Sequence, residues 1–176
     1  MIKKQLYTQL KSLSIVFFSL FFLYFYTLNF SNDYYDYIEI FNIFKNSNGP
    51  LEAVLENRYE PGFSFTFFYL SKYFSGKTIF FTISFIIVVF KYLLFVKYLR
   101  YPTIAWIFYF IVFLPVLDAS QLRSSIASCF ILYSLFVPGS ILRYILRATA
   151  ASMFHVIGII IILFRFYNNF ILIFVF

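Results

Sequence analysis

Histidine and cysteine each occur once in this 176-residue chain. A single cysteine, Cys129, excludes an internal disulfide framework, and one cysteine with one histidine excludes a Cys/His zinc site built from this chain alone. Charge is scarce too: 12% of the residues are charged, against roughly a quarter in soluble domains. What the chain has instead is apolar surface, with 62% hydrophobic and 26% aromatic residues and a mean hydropathy of +0.86. That composition predicts an all-α, polytopic integral membrane protein.

About 20 apolar helical residues cross a hydrocarbon core of roughly 30 Å. Five runs approach or reach that length: Ser12 to Phe30, Lys77 to Val96, Thr103 to Leu117, Ser120 to Val137 and Ile141 to Phe164. They predict about five transmembrane helices, the third short and extended at its ends. A sixth run, Phe170 to Phe176, starts where the sequence stops, so the chain is expected to be cut off inside a helix and incomplete at its carboxy terminus. The first run follows Lys3, Lys4 and Lys11 but has no small-residue cleavage pattern after it, which predicts an uncleaved signal anchor.

A net charge of +7 would raise nucleic acid as a partner for a soluble protein. Here the basic residues are spread around the hydrophobic runs and report orientation, so no nucleic-acid partner is expected. A cytoplasmic amino terminus places Lys3, Lys4, Lys11, Lys91, Lys97, Arg100, Arg143 and Arg147 at the inner side, and all seven acidic residues, Asp118 among them, outside. This arrangement requires Pro61 to Ser75 not to cross. Phe63, Phe67, Leu70 and Phe74 repeat there at helical spacing, which predicts a short interfacial or re-entrant helix over 61–75. The polar segment 31–60 is the only sizeable loop, on the outer side, without Gly/Ser linker character, and a single transmembrane domain over 1–176 is the economical organisation.

Pro138, Gly139 and Ser140 make so short a connection that the runs on either side are antiparallel neighbours. Arg123 lies 16 residues before Gly139 and His155 lies 16 after it, which at about 1.5 Å per residue places both at similar depth near the outer side. Ser120, Ser124, Ala127 and Ser128 form one small-residue stripe; Ala148, Ala151, Ser152 and Gly158 form another, and His155 shares that packed face. If Ser120 caps its helix, Arg123 stands in the first turn, where the helix dipole disfavours a cation. A bound anion such as a phosphate group would account for that placement, as would snorkelling to the headgroups. His155 is equally readable as a packing residue or a functional group. Glu60 precedes Pro61 at a helix start, where simple capping would also explain it. Asp33 and Asp36 could hold a cation or act as base, or be solvated loop acids. Most of the aromatic residues are expected to face lipid or its interfaces; Tyr34, Tyr35, Tyr37 and Tyr59 stand beside the candidate acids.

Four short motifs recur in a telling order: Asp33 and Tyr37 after the first span, Glu60-Pro61-Gly62-Phe63, Leu122-Arg123-Ser124-Ser125-Ile126-Ala127, and Ala151-Ser152-Met153-Phe154-His155. In this order they resemble the EpsG family of Wzy-like bacterial polysaccharide polymerases, of capsule, O-antigen and exopolysaccharide pathways. Family members usually carry Gln at the position of Ser124 and continue with further spans. The resemblance implies a multi-pass protein of the bacterial cytoplasmic membrane that acts as a glycosyltransferase, moving a glycan from polyprenyl diphosphate onto a hydroxyl of a new lipid-linked repeat unit. It implies that Arg123 contacts the diphosphate and that His155 or Glu60 serves as base or positions the acceptor. Asp33, Tyr37 and Tyr59 are further candidate substrate contacts. No cofactor or resident metal is expected; the expected partners are the polyprenyl-diphosphate-linked oligosaccharide, membrane lipid and other polysaccharide assembly proteins. Two other readings stay open: a lipid-linked oligosaccharide flippase or exporter component, and an inactive truncated remnant.

Overall fold

Each of the five prolines stands where a helix begins, ends or changes pitch, because proline has no N–H to give the preceding turn. The computed structural model describes residues 2–57 and 59–162. After α1 (Ile2–Phe30) and α2 (Asn32–Asn46), Pro50 opens α3 (Pro50–Asn57) and Pro61 opens α4 (Pro61–Tyr73). The longest following helix, α5 (Gly76–Tyr98), is capped by Ser75, whose hydroxyl accepts from Thr78 N–H. Pro102 then opens α6 (Pro102–Phe113). At Pro115 the helix widens into one π-helical turn, Leu114–Asp118, closed by Ala119 N–H donating to Leu114 O at 3.0 Å. Pro138 separates α7 (Leu122–Phe136) from α8 (Ile141–Ser152), and a 3₁₀ turn, Val156–Ile160, follows. No strand occurs among the described residues, in agreement with the expected all-α class.

Three clusters of buried side chains hold these helices together. Phe41, Phe44, Phe63, Phe67 and Phe80 form the centre of the first, between α2, α4 and α5. Its rings meet edge-on and offset, with Phe63 and Phe67 at 4.4 Å and Phe41 stacked on Phe67 at 5.1 Å. The second joins α1, α5, α6 and the π turn around Trp106, whose indole N–H donates to Ser19 Oγ at 3.0 Å. The third packs Ala127 against Tyr144, Ala148, Ala151 and Ile161. Small residues do line the α7–α8 contact as the stripes predict, and they let the two backbones approach. Arg147 closes the same hairpin by donating to Val137 O at 2.5 Å while lying over the Tyr133 ring.

Among the described residues one helix, Gly76–Tyr98, is by itself long and apolar enough to cross a membrane. Ser14–Phe30 and Asp33–Asn46 meet the same test only together, bent by 85° at their junction. Pro102–Asp118 and Leu122–Phe136 are apolar but shorter. Phe170 to Phe176 lies outside the described residues.

Several expectations are corrected. Residues 31–60, expected as a loop, hold α2 and α3, because Ser31 caps α2 by accepting from Tyr34 N–H and Tyr34, Tyr37, Phe41 and Phe44 give α2 a buried aromatic face. The run from Ile141 to Phe164 is not one helix: α8 stops at Ser152 and His155 is extended (φ −162°, ψ 133°). The chain then folds back so closely that a Cβ on Gly158 would stand 2.4 Å from Ala151 Cβ. Ser120 does not cap α7, whose N-cap is Gln121; its hydroxyl donates to Pro115 O instead. Lys91 and Asp118, assigned to opposite sides by the charge pattern, form an ion pair of 2.6 Å with both side chains fully buried.

The expected helix over 61–75 is α4; Phe63 and Phe67 of its stripe are buried in protein, Leu70 is partly buried, and Phe74, just past the helix end, is exposed. At its start Phe63 N–H donates to Met153 O at 3.1 Å, which brings the α8 terminus against Gly62. A Cβ on Gly62 would meet Met153 Cβ at 2.6 Å and Met153 O at 2.7 Å, whereas nothing lies within 4 Å of one on Gly49. Gly62→Ala should therefore destabilise the detergent-solubilised protein by about 1–3 kcal/mol, as overpacking does, read as a lowered thermal midpoint. Gly49→Ala should stay within about 0.5 kcal/mol of the parent, and equal effects of the two substitutions would contradict the close approach.

Candidate functional site

Arg123 is the second residue of α7, and the polar partners of its backbone N–H and guanidinium come from α2 and from the segment leading into α4. Helix starts leave backbone N–H groups without intrahelical partners, and Gln121 makes no side-chain cap. The Tyr37 hydroxyl fills part of that gap from α2, accepting the Arg123 backbone N–H at 3.3 Å. Burial pushes the Tyr37 phenol above its ordinary value, with the hydrogen bond to Arg123 opposing, so the ring stays neutral at physiological pH.

The guanidinium is held by the segment that leads into α4. Arg123 Nη1 donates to Glu60 Oε2 at 2.9 Å, with side-chain exposures of 29% and 21%. Glu60 occupies the N-cap position of α4 but makes no capping bond with its side chain, so capping does not explain it. The cation also lies 4.8 Å from the Tyr59 ring centroid and 5.9 Å from that of Phe63. Its Nε–H is buried and makes no well-aligned hydrogen bond among the described residues, while the Tyr37 hydroxyl lies close enough to the guanidinium to favour its charge. Arginine carries five N–H donors in a planar fork, and here one fixes the group to Glu60 while the Nε edge is left to another acceptor.

Two helix amino termini, those of α4 and α7, converge at this point, and each adds partial positive charge. Glu60 offsets the arginine, so what remains is a modest positive field with directed donors. Positive charge with directed N–H donors is the chemistry that charge-assisted hydrogen bonds to a phosphate-type anion require. Beside it lies an apolar cavity of about 470 Å³ between α4, α5 and α7, bounded by Phe67, Ile83, Ile87, Ile126, Phe130 and Phe154. Ile126 follows Arg123 by less than one turn, so the cavity begins next to the polar cluster.

The expected site residues therefore separate into two sets. Arg123, Glu60, Tyr37 and Tyr59 come together. Asp33 lies in the first turn of α2, favourable to the helix dipole, and no hydrogen bond or ion pair joins it to Arg123. Tyr34 is packed against Phe80, and Tyr35 is largely exposed, donating to Leu28 O. His155 stands beyond the end of α8, where the chain is extended, and neither a hydrogen bond nor an ion pair joins it to Arg123. Its Nδ1 accepts Ile157 N–H at 3.2 Å, which leaves the proton of a neutral ring on Nε2. It remains linked to the cluster through the chain, two residues after the Met153 carbonyl that receives Phe63 N–H.

Reading by charge pattern missed a second polar group. Asp118 accepts from Lys91 Nζ at 2.6 Å and from the hydroxyls of Tyr109 and Ser125. Lys91 also donates to the Tyr109 oxygen at 2.7 Å. The available signal was Lys91 itself, well inside the apolar α5, where an ionisable residue requires a partner.

A family model described as the EpsG family matches residues 11–176. No curated protein and no solved structure matches the chain. The half-open setting of the Arg123–Glu60 pair gives a stability prediction: a double-mutant cycle with Arg123→Ala and Glu60→Ala should return a coupling of about 0.2–1 kcal/mol. Tyr37→Phe should cost about 1–3 kcal/mol, since it strands the Arg123 backbone N–H. Thermal unfolding in detergent checks both, and a coupling above about 3 kcal/mol would mark the ion pair as a buried structural element.

Proposed function

The chain belongs to the EpsG family, and on that premise we propose that it carries the diphosphate-binding part of a membrane glycosyltransferase that polymerises lipid-linked repeat units into a capsular, O-antigen or exopolysaccharide chain. The single observation that carries the reading is the Arg123 guanidinium, gripped by Glu60, Tyr59 and Phe63 with a buried, unpartnered Nε–H at the start of α7.

The chemistry follows from those groups. The oxygen of an acceptor sugar hydroxyl attacks the anomeric carbon of the donor glycan, the bond from that carbon to the diphosphate oxygen breaks, and polyprenyl diphosphate departs with the electron pair. Arg123 and the α7 dipole stabilise the charge that builds on the leaving group. The acceptor proton goes to the Glu60 carboxylate, which the incoming diphosphate frees by competing for Arg123. His155, with its Nδ1 already engaged, acts as a donor through Nε2 and positions the acceptor. Tyr37 orients Arg123 through its backbone, Tyr59 offers a ring beside the sugar, and Asp33 contacts substrate farther from the reacting bond. The apolar cavity under Ile126 and Phe67 suits an isoprenoid tail.

Placement in the bacterial cytoplasmic membrane as a multi-pass protein, with the amino terminus cytoplasmic, is part of the same proposal. Gly76–Tyr98 supports it, with Lys97 and Arg100 at the end assigned to the inner side. Withdrawing Lys91 from the inner set, as its pairing requires, still leaves Lys3, Lys4, Lys11, Lys97, Arg100, Arg143 and Arg147.

Membranes from a polymerase-deleted strain expressing the full gene product, supplied with lipid-linked repeat units already on the outer face, read the function as glycan ladders. Arg123→Ala should slow elongation by about 10²–10³-fold, and Arg123→Lys should recover little of it because the planar fork is lost. An unchanged ladder in Arg123→Ala would refute the assignment; ladders that require unflipped substrate would favour the transport reading.

A further inference from the structure

The buried pair of Lys91 and Asp118 has no part in the chemistry above, yet its surroundings are unusually complete. Both side chains are wholly inaccessible, and Asp118 receives Lys91 from α5, the Tyr109 hydroxyl from α6 and the Ser125 hydroxyl from α7. Lys91 also reaches Ser125 Oγ at 3.4 Å. Replacing a buried ion pair by apolar residues is often neutral or stabilising, so stability alone is a weak reason for this one. Its location supplies a better reason. Asp118 ends the π turn, Ser125 lies two residues after Arg123, and only Ala119, Gln121 and their neighbour Ser120 separate the turn from α7.

That connector is clamped along its length. Thr27 of α1 donates to Ala119 O at 3.0 Å, Gln121 N–H donates to Leu117 O at 2.8 Å, and Ser120 Oγ donates to Pro115 O at 2.9 Å. The Ser125 hydroxyl on Asp118 is the strut that ties the first turn of α7 to this clamp. On its other side the same turn meets Tyr37 and Glu60.

We infer that Lys91 and Asp118 are positioning residues for Arg123: through Ser125 they set the rotation and depth of the first turn of α7, and so aim the guanidinium at Glu60 and at the anion. The inference rests on the anion-binding role proposed for Arg123, and its test has one readout that does not depend on polymerisation. In a Cys129→Ala background, Glu60→Cys with Arg123→Cys is bridged in membranes by a short bifunctional methanethiosulfonate, and Tyr98→Cys with Phe136→Cys reports the opposite end of α7, where those rings stack at 5.8 Å. Ser125→Ala cuts the strut and leaves Lys91, Tyr109 and Asp118 together. It should lower bridging of 60 to 123 several-fold and leave bridging of 98 to 136 unchanged. The double variant Lys91→Met with Asp118→Leu, which leaves no lone buried charge, should show the same selective loss.

In the polymerisation assay Ser125→Ala, with Glu60 and Arg123 intact, should lower kcat by about ten- to hundredfold with KM for the lipid-linked donor little changed. Bridging of 60 to 123 that stays at the parent level in Ser125→Ala and in the double variant would overturn the inference, as would equal loss at both cysteine pairs, which marks a general folding brace. Selective loss of bridging in a protein whose Arg123→Ala form still polymerises would keep the positioning role and remove the proposed function.

Discussion

A helix end placed among apolar side chains has to find partners for its free N–H and C=O groups, and most of the architecture follows from where this chain finds them. The connections between helices are short and the polar residues few, so the partners come from distant elements. Phe63 N–H uses Met153 O, Arg123 N–H uses the Tyr37 hydroxyl, and Ala119 O is taken by Thr27. Lys72 closes the end of α2 by donating to Lys45 O and Ser47 O, and Arg147 closes the end of α7 at Val137 O. Each of these bonds satisfies one backbone group and docks one helix on another. The polar residues are thus placed by the needs of helix termini, and the functional cluster grows where two such termini meet.

That origin explains the electrostatics of the cluster. An arginine in a first turn is unfavourable against the helix dipole, and the chain compensates with a carboxylate at the start of α4 and with aromatic faces from Tyr59 and Phe63. Compensation is incomplete by geometry: one nitrogen meets Glu60, and Nε–H stays unused. A fully satisfied arginine would have no reason to bind an anion. A fully exposed one would be screened by water. Partial burial lies between, and it is the setting in which the proposed anion would gain both charge and direction.

The helices from α4 to α7 were legible in the sequence, because the apolar runs have helical length and Pro61 and Pro138 mark boundaries; the π turn at Pro115, inside the run from Thr103 to Leu117, was not. Helix α2 was not: Tyr34, Tyr37, Phe41 and Phe44 carry its buried face, but Asn32, Asp33, Asp36 and Glu39 gave the segment the composition of a loop. The end of α8 was also hidden, since no proline or polar run marks Ser152 to His155; the break depends on Gly158 lying against Ala151, a contact between backbones that no local pattern encodes. Within the site, Arg123, Glu60, Tyr37 and Tyr59 were recognisable one by one from their motifs. That they touch, and that no hydrogen bond or ion pair joins His155 to Arg123, are facts of tertiary packing.

Lys91 shows why a charge-count rule fails inside such a fold. The rule treats each lysine as seeking the nearer surface, which holds for a side chain that can extend along lipid to the headgroups. Lys91 faces other helices, and Asp118 is closer than any surface. The two ion pairs of the described structure then divide the work by their accessibility. Opening Lys91–Asp118 would strand two charges with no water to receive them, so that pair resists exchange. Arg123–Glu60 is partly open to solvent, where breaking an ion pair costs little, which is the property the proposed exchange of Glu60 for an anion requires. Because the first turn of α7 lies between the two, the proposed roles fit together: the rigid pair would hold the backbone steady while the soft pair trades partners, so that a ligand is gripped and released without moving the helix that carries Arg123.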